Sequence, residues 1–285
     1  MQSETPASTD AQQATAAQAI ISYQNIHHSF TSNRKYPKNA GTINSLKSFS
    51  LDIFAKETLC LIGPSGCGKT TALRIANQML LPSQGQYFFQ QKLGSSFDPL
   101  ILRRSMGYVP QKAQLLPHLT IERNIELLPT RVLATAPDQL PAHLGSMADI
   151  KKRTLELLEL IKLPTDASFR TRYPGELSGG QQQRIAIARA LAMDPACLLM
   201  DEPFNALDPE TTAQLQNEFL QLRGLLQKTV LLVTHDLNEA CLLGDRIAIM
   251  RSGQILQTGT ADDLLERPAN SFVENFMRHH TATSF

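Results

Sequence analysis

The apolar run Thr58-Leu59-Cys60-Leu61-Ile62 passes directly into Gly63-Pro64-Ser65-Gly66-Cys67-Gly68-Lys69-Thr70, and that junction restricts the fold more than any other part of the chain. A short apolar run without polar alternation reads as a strand buried on both faces, the habit of parallel sheets. Ala72, Ile75, Ala76, Met79 and Leu80 then recur at helical spacing, with Pro82 as the expected stop. Strand, glycine loop and helix in that order form the context of a phosphate-binding loop. Its glycines let backbone N–H groups turn inward around phosphate oxygens, and the following helix points its positive end at the same place. Lys69 adds a compact positive charge for the β- and γ-phosphates. The Thr70 hydroxyl is the hard oxygen ligand that Mg²⁺ prefers. Cys67 is open to two readings, a small filler or a thiol activated by the helix start. Only the second makes its alkylation block nucleotide binding.

Ile20–Ile26 alternates loosely and is expected to be a first strand. Thr31–Ser45, polar and containing Pro37 and Gly41, is expected to be a loop. Ala196–Met200, Val230–Val233 and Ile247–Met250 repeat the buried-strand pattern, with helical stretches between them. This alternation argues an α/β fold with helices packed on a largely parallel sheet. Residues 112–175 differ: Pro117, Pro129, Pro137 and Pro141 break the first half, with an irregular segment expected near 129–147. Ile150, Thr154, Leu157, Leu158 and Ile161 then mark an amphipathic helix, so the stretch reads as a helical insertion. The expected organisation is a flexible tail over 1–19, one domain over 20–275 and a short tail over 276–285.

The strand Cys197–Met200 ends in Asp201-Glu202. Parallel strands open their C-terminal ends onto the ligand crevice, which brings both acids toward the phosphates. Asp201 is expected to hold Mg²⁺, directly or through water. Glu202 is expected to orient and deprotonate the attacking water, general-base work worth ~10²- to 10⁴-fold. The competing reading is an acid pair that caps a helix. Val230–Thr234 ends in His235, which is either structural or within reach of the γ-phosphate.

Leu177-Ser178-Gly179-Gly180-Gln181, followed by Gln182-Gln183-Arg184, resembles the signature motif of ABC ATPases. Physically it is a second phosphate site, a hydroxyl and N–H groups at the start of a helix whose apolar face is Ile185, Ala188 and Ala192. With the phosphate loop and the acid pair in the expected order, the resemblance covers about residues 20–275. It implies a P-loop NTPase (RecA-like) core with a largely parallel sheet, an antiparallel β portion on the N-terminal side and a helical insertion subdomain. It also implies ATP and Mg²⁺, and a homodimer in which Ser178, Gly179, Gly180 and Gln181 of one copy cap the ATP on the loop of the other. Gln111 matches the glutamine that touches Mg²⁺ and senses the γ-phosphate. His235 matches the switch histidine, and Thr71 matches a second phosphate contact. Asn205-Ala206-Leu207-Asp208 matches the loop linking the two sites. Phe30 matches the adenine-stacking aromatic, with Tyr36 as its rival. Lys56-Glu57 departs from the usual Gly-Glu turn. Around Gln111–Thr120 the family receives the coupling helix of a permease, with Leu115, Leu116, Pro117 and Leu119 as apolar contacts or as internal packing.

Within the family the chain is similar to the ATPases of osmoprotectant importers. The likeness lies in Leu116-Pro117-His118-Leu119-Thr120-Ile121, Tyr173-Pro174-Gly175-Glu176-Leu177-Ser178, Leu215-Gln216-Asn217-Glu218-Phe219 and Arg267-Pro268-Ala269-Asn270-Ser271-Phe272. That implies integral-membrane permease subunits, and indirectly a solute-binding protein. With the sequence ending at Phe285, the regulatory cystathionine-β-synthase-type domain pair of many relatives is expected to be absent. A net charge of +1 gives no reason to expect nucleic acid. No apolar stretch approaches the ~18 residues of a membrane span, and Met1–Ala19 lacks the pattern of a signal peptide. The expected place is therefore the cytoplasmic face of the bacterial cell membrane, held through a partner. Cys60, Cys67, Cys197 and Cys241 show no metal-type spacing, so reduced thiols are expected. Rival readings are an importer ATPase for another small solute, a soluble ABC ATPase and a non-hydrolysing ATP binder. One set of motifs without a long heptad run argues against the soluble class, and Glu202 with His235 argues against the last.

Overall fold

Thr58–Ile62 forms a strand whose five residues are all buried, and the reason for its unbroken apolarity is that it separates two cores. Leu59 and Leu61 face one hydrophobic cluster while Cys60 and Ile62 face another, as the two-residue period of a strand requires. The strands over 197–201 and 229–234 divide in the same way: Leu198, Met200, Val230 and Leu232 face one side, and Cys197, Leu199, Leu231 and Val233 face the other. The computed structural model describes residues 19–31, 42–205 and 207–281. The expectations for the tail over residues 1–18 and for Tyr36, Ala206 and residues 282–285 lie outside them.

In chain order the elements are β1 (Ala19–Thr31), β2 (Thr42–Phe54), β3 (Thr58–Ile62), α1 (Lys69–Ala76), β4 (Gln84–Phe89) and β5 (Lys92–Leu93). Next come α2 (Pro99–Arg104), β6 (Met106–Val109), α3 (Ile121–Thr135), α4 (Met147–Leu160), α5 (Ala167–Arg170) and α6 (Gly179–Leu191). The chain continues with β7 (Cys197–Asp201), α7 (Pro209–Leu226), β8 (Thr229–Thr234), α8 (Leu237–Leu243), β9 (Arg246–Arg251), β10 (Gln254–Gly259), α9 (Ala261–Glu266) and α10 (Ser271–Thr281). Two sheets form among the described residues, a four-stranded β2-β1-β4-β5 and a six-stranded β10-β9-β3-β8-β7-β6. Neighbours among β9, β3, β8, β7 and β6 are parallel, and β10 joins β9 antiparallel. The smaller sheet is antiparallel throughout. The α/β class, the antiparallel portion on the N-terminal side and the helical insertion all stand as expected.

The second core fills the space between the sheets. Ile21, Tyr23, Ile26, Phe49 and Ile53 meet Leu59, Leu61, Leu199 and Leu231 there. The Tyr23 hydroxyl donates to the Ala72 carbonyl at 2.9 Å, fastening the small sheet to α1. Burying a Tyr–carbonyl bond in this way fixes where α1, and hence the loop before it, sits.

Four expectations need correction. The stretch Thr31–Ser45 is not all loop, since β2 begins at Thr42. Helix α1 ends at Ala76, before Pro82 and without Met79 or Leu80. The physical cause is a left-handed Gln78 (φ 53°) that lets Met79 N–H and Leu80 N–H both return to the Arg74 carbonyl, at 2.8 and 3.0 Å, a Schellman-type closure without glycine. Pro129 lies inside α3, so the irregular segment starts at Ala136 instead. Proline removes one helical hydrogen bond, but Ile121, Ile125 and Val132 are fully buried along the same face and carry the helix past it. Finally, α10 crosses the boundary expected at 275, with Met277 buried. At Lys56-Glu57 the tight turn survives the missing glycine. Lys56 adopts φ 65°, its N–H donates to Thr229 Oγ1, and Glu57 Oε1 accepts from Phe54 N–H at 2.6 Å.

Candidate nucleotide site

The loop Gly63–Thr70 leaves the C-terminal end of β3 and becomes α1. Gly66 and Gly68 have φ of 76° and 114°, backbone that L side chains rarely adopt. At Gly68 a Cβ would also sit 2.2 Å from the Ser45 carbonyl oxygen. The loop is pinned from below: Gly253 N–H donates to the Cys67 carbonyl at 2.9 Å, and Cys67 N–H donates to the Pro64 carbonyl at 3.2 Å. Lys69 is buried, and its Nζ donates to the Gly63 and Pro64 carbonyls at 2.7 and 3.3 Å. Cys67 packs into the inter-sheet core, and burial pushes its thiol above the ordinary range. The filler reading fits that placement, because a raised thiol is mostly unreactive at neutral pH.

A cavity of about 310 Å³ lies over this loop. Its walls come from β1 and β2 (Phe30, Ile43, Ser45), from the loop and α1 (Ser65, Gly66, Gly68, Lys69, Thr70, Thr71) and from Glu202 after β7. Phe30 is 43% exposed and meets the His28 ring edge-on, with centroids 4.6 Å apart. His28 Nδ1 in turn lies 2.9 Å from Ser45 Oγ, and burial lowers its pKa. An open aromatic face braced from behind is what stacking on a base requires.

The acid pair stands opposite the lysine. Asp201 closes β7, and its Oδ1 accepts from Thr70 Oγ at 3.0 Å while Oδ2 accepts from the Tyr108 hydroxyl at 3.4 Å. Burial raises the Asp201 pKa, the Thr70 bond pulls it back, and Glu202 pushes it up again. Glu202 takes a left-handed φ of 47°, and its N–H donates to Val233 O at 2.8 Å. A left-handed glutamate at a strand end is costly backbone of the kind that clusters at functional sites. Its Oε2 accepts from Gln111 Nε2 at 3.0 Å and from Asn205 Nδ2 at 2.7 Å. Asn205 Nδ2 also lies 3.0 Å from His235 Nδ1, and that imidazole nitrogen is 3.5 Å from Glu202 Oε2. Glu202, Asn205 and His235 thus form one polar cluster at the ends of β7 and β8.

Ser178 caps α6. Its Oγ accepts from Gln181 N–H at 3.2 Å and its own N–H donates to Gln181 Oε1 at 3.1 Å, a reciprocal capping box. Ile185, Ala188 and Ala192 are buried, as the sequence pattern requires, and Gly180 packs against α7. Ser178 and Gly179 are exposed, and neither lines the cavity over the phosphate loop. Asp208 accepts from Thr211 N–H at 3.0 Å and opens α7.

In the stretch 111–120, Leu115, Leu116 and Leu119 are half-buried and Pro117 is exposed. Leu115 packs on the main core, so internal packing claims it. The loop's shape is set by Asn124, which is fully buried. Its side chain accepts from Leu116 N–H at 2.8 Å and donates to the Leu116, Leu119 and Thr120 carbonyls.

Sequence reasoning missed three contributors, Ile43, Ser45 and Tyr108, and the bridging role of Asn205. Ile43 and Ser45 reach the site through the β1–β2 register, and Tyr108 through the parallel pairing of β6 with β7. The bridge made by Asn205 between Glu202 and His235 depends on the turn after β7. A local signal existed only for Asn205, an amide three residues past a strand-ending acid.

The ABC transporter family model matches residues 46–205. The chain is 46% identical over 237 residues to the glycine betaine/carnitine/choline transport ATP-binding protein OpuCA of Bacillus subtilis, covering 83% of this chain and 59% of that one. It is 42% identical over 258 residues to the osmoprotectant import ATP-binding protein OsmV of Salmonella typhimurium, covering 90% and 63%. The chain thus spans about three fifths of the length of these relatives. Among solved structures it resembles the dimeric post-hydrolysis state of the ATP-binding cassette MJ0796 bound to ADP and Pi, with a TM-score of 0.70 and 32% identity over 84% of this chain and 98% of that one. A phosphate loop, an acid pair and a capped signature turn on this sheet define an ATP-binding cassette. The chain belongs to the ABC transporter family.

Proposed function

We propose that this chain is the ATP-hydrolysing subunit of an ABC importer, working as a pair of identical copies on separate permease subunits. The observation that carries this reading is the convergence of Lys69, Thr70, Asp201, Glu202 and His235 around the ends of β3, β7 and β8. Lys69 and the loop N–H groups hold the β- and γ-phosphates, Thr71 adds a second contact, and Phe30 stacks on adenine. Glu202 takes the proton of the attacking water, and His235 contacts the γ-phosphate. The oxygen donors Thr70, Asp201 and Gln111 suit Mg²⁺. Among the described residues no group of three or more His, Cys, Asp or Glu could hold a metal ion. Bound there, Mg²⁺ neutralises phosphate charge.

Ser178, Gly179, Gly180 and Gln181 cap the ATP on the partner copy, and the Asn205–Asp208 loop links the two sites. The groove near Gln111–Thr120 receives the permease, with Leu116, Pro117 and Leu119 as contacts. Leu119 also borders a cavity of about 290 Å³ beside the exposed Leu127, an apolar surface of the kind that docks a helix. The likeness to importer ATP-binding proteins supports a peripheral place on the cytoplasmic face; among the described residues no helix is long and apolar enough to cross a membrane. The solute is a quaternary-amine osmoprotectant such as glycine betaine, delivered by a solute-binding protein. The support is the likeness to OpuCA and OsmV.

Vesicles carrying this subunit with its permease and binding protein test the reading. ATP-driven accumulation of labelled glycine betaine is expected. Turnover without uptake of any quaternary amine would refute the solute, and absence of Mg²⁺-dependent turnover would refute the ATPase.

A further inference from the structure

Helix α6 does more than carry the signature turn. Two of its side chains grip the segment that presents Gln111, one on each side of it. Gln183, 3% exposed, donates its Nε2–H to the Pro110 carbonyl at 3.3 Å. Arg189 donates from both terminal nitrogens to consecutive carbonyls, Nη1 to Gln114 and Nη2 to Ala113, each at 2.8 Å. The planar guanidinium fork matches such a pair of acceptors in a way an ammonium does not. Gln114 is left-handed, with φ 46°. The partners of Arg189 here are neutral oxygens rather than a carboxylate, and burial lowers its pKa. A half-buried guanidinium that bonds two consecutive carbonyls fixes the backbone that carries them. Between the two grips, Gln111 reaches Glu202 at 3.0 Å.

We infer that Arg189 is a positioning residue for the reaction: by tying the Ala113–Gln114 carbonyls to α6, it sets where Gln111 meets Glu202. A displacement of Ser178–Gly179 at the start of α6 is thereby transmitted, through one rigid helix, to the group beside the attacking water. This rests on the hydrolytic reading of Glu202 given above.

The test is a double-mutant cycle on the full chain, since residues that act through one another lose additivity. Arg189→Lys keeps the charge and loses the fork. It is expected to lower kcat about tenfold, leave the ATP Kd within about twofold and speed hydrogen exchange over residues 111–116. Gln111→Ala, expected to cost the parent about tenfold, is then expected to cost the Arg189→Lys protein less than about threefold. Equal cost in both backgrounds, or unchanged exchange over 111–116, would overturn the inference. If Arg189→Lys fails to fold, Gln183→Leu frees the Pro110 carbonyl and must show the same non-additivity. A parent chain without turnover refutes the hydrolytic reading instead, and the exchange experiment still decides whether Arg189 holds the segment.

Discussion

The phosphate loop and the signature turn are built from the same device, small residues at the start of a helix, yet their surroundings are opposite. The loop is walled in. Its lysine is bonded to its own carbonyls, Gly253 N–H holds it from below, and Ser45 leaves no room for a Cβ at Gly68. The turn stands open. Ser178 and Gly179 are exposed, and the bonds that shape them run to Gln181 of the same motif. A helix start that satisfies only itself is a surface with spare N–H donors. The first region is enclosed by its own chain, and the second is the open surface that the proposed partner copy would use.

Changes on the walled side should abolish binding or chemistry, and changes on the open side should leave binding intact. The largest effect is expected from Lys69→Ala, which removes the phosphate-facing charge and should eliminate ATP binding by calorimetry. Glu202→Gln follows: turnover should fall about 10²- to 10⁴-fold with ATP retained, and light scattering should show a stable ATP-bound dimer. A parent-like rate would remove Glu202 from its role. Ser178→Ala or Gly179→Asp should keep the ATP Kd within about twofold while turnover falls at least about tenfold. The fold should survive Gly179→Asp, because the added Cβ meets only the movable end of Leu207, at 3.2 Å. Weakened ATP binding by the isolated monomer would erase the contrast.

A smaller effect sharpens the walled side. Glu239 on α8 is buried, and burial, helped by Asp236, pushes its pKa up to about 8 from an ordinary 4.5. The folded chain thus keeps a proton that the unfolded chain sheds, so Glu239 lowers stability progressively as pH rises from 4.5 to about 8. Glu239→Gln should flatten that part of the Tm–pH curve; an unchanged slope would contradict the shift. The smallest effect is chemical. Iodoacetamide should label the exposed Cys241 well before Cys67, and early loss of ATP binding through Cys67 would restore its reactive reading.

Much of this was legible because it is local. The buried strands announce themselves through unbroken apolar runs, and the phosphate loop, acid pair and signature turn each occupy one contiguous stretch. Illegible features depended on partners far along the chain. The end of α1 is closed by a left-handed Gln78 where no glycine marks it, and Pro129 is tolerated because α3 is buried against the core. Ser45 reaches the nucleotide cavity only through strand register. Phe30 lines the cavity with the His28 ring behind it, while its rival for adenine stacking, Tyr36, lies outside the described residues.

Subunit mixing tests the two-sided grip most directly. Lys69→Ala chains keep an intact signature turn, and Gly179→Asp chains keep an intact phosphate loop; each alone should turn over ATP far below the parent rate. Mixed together, half the dimers carry one fully intact site, so turnover should recover to at most roughly a quarter of the parent rate for a symmetric pair. Activity no greater than the sum of the two separate preparations would contradict the account.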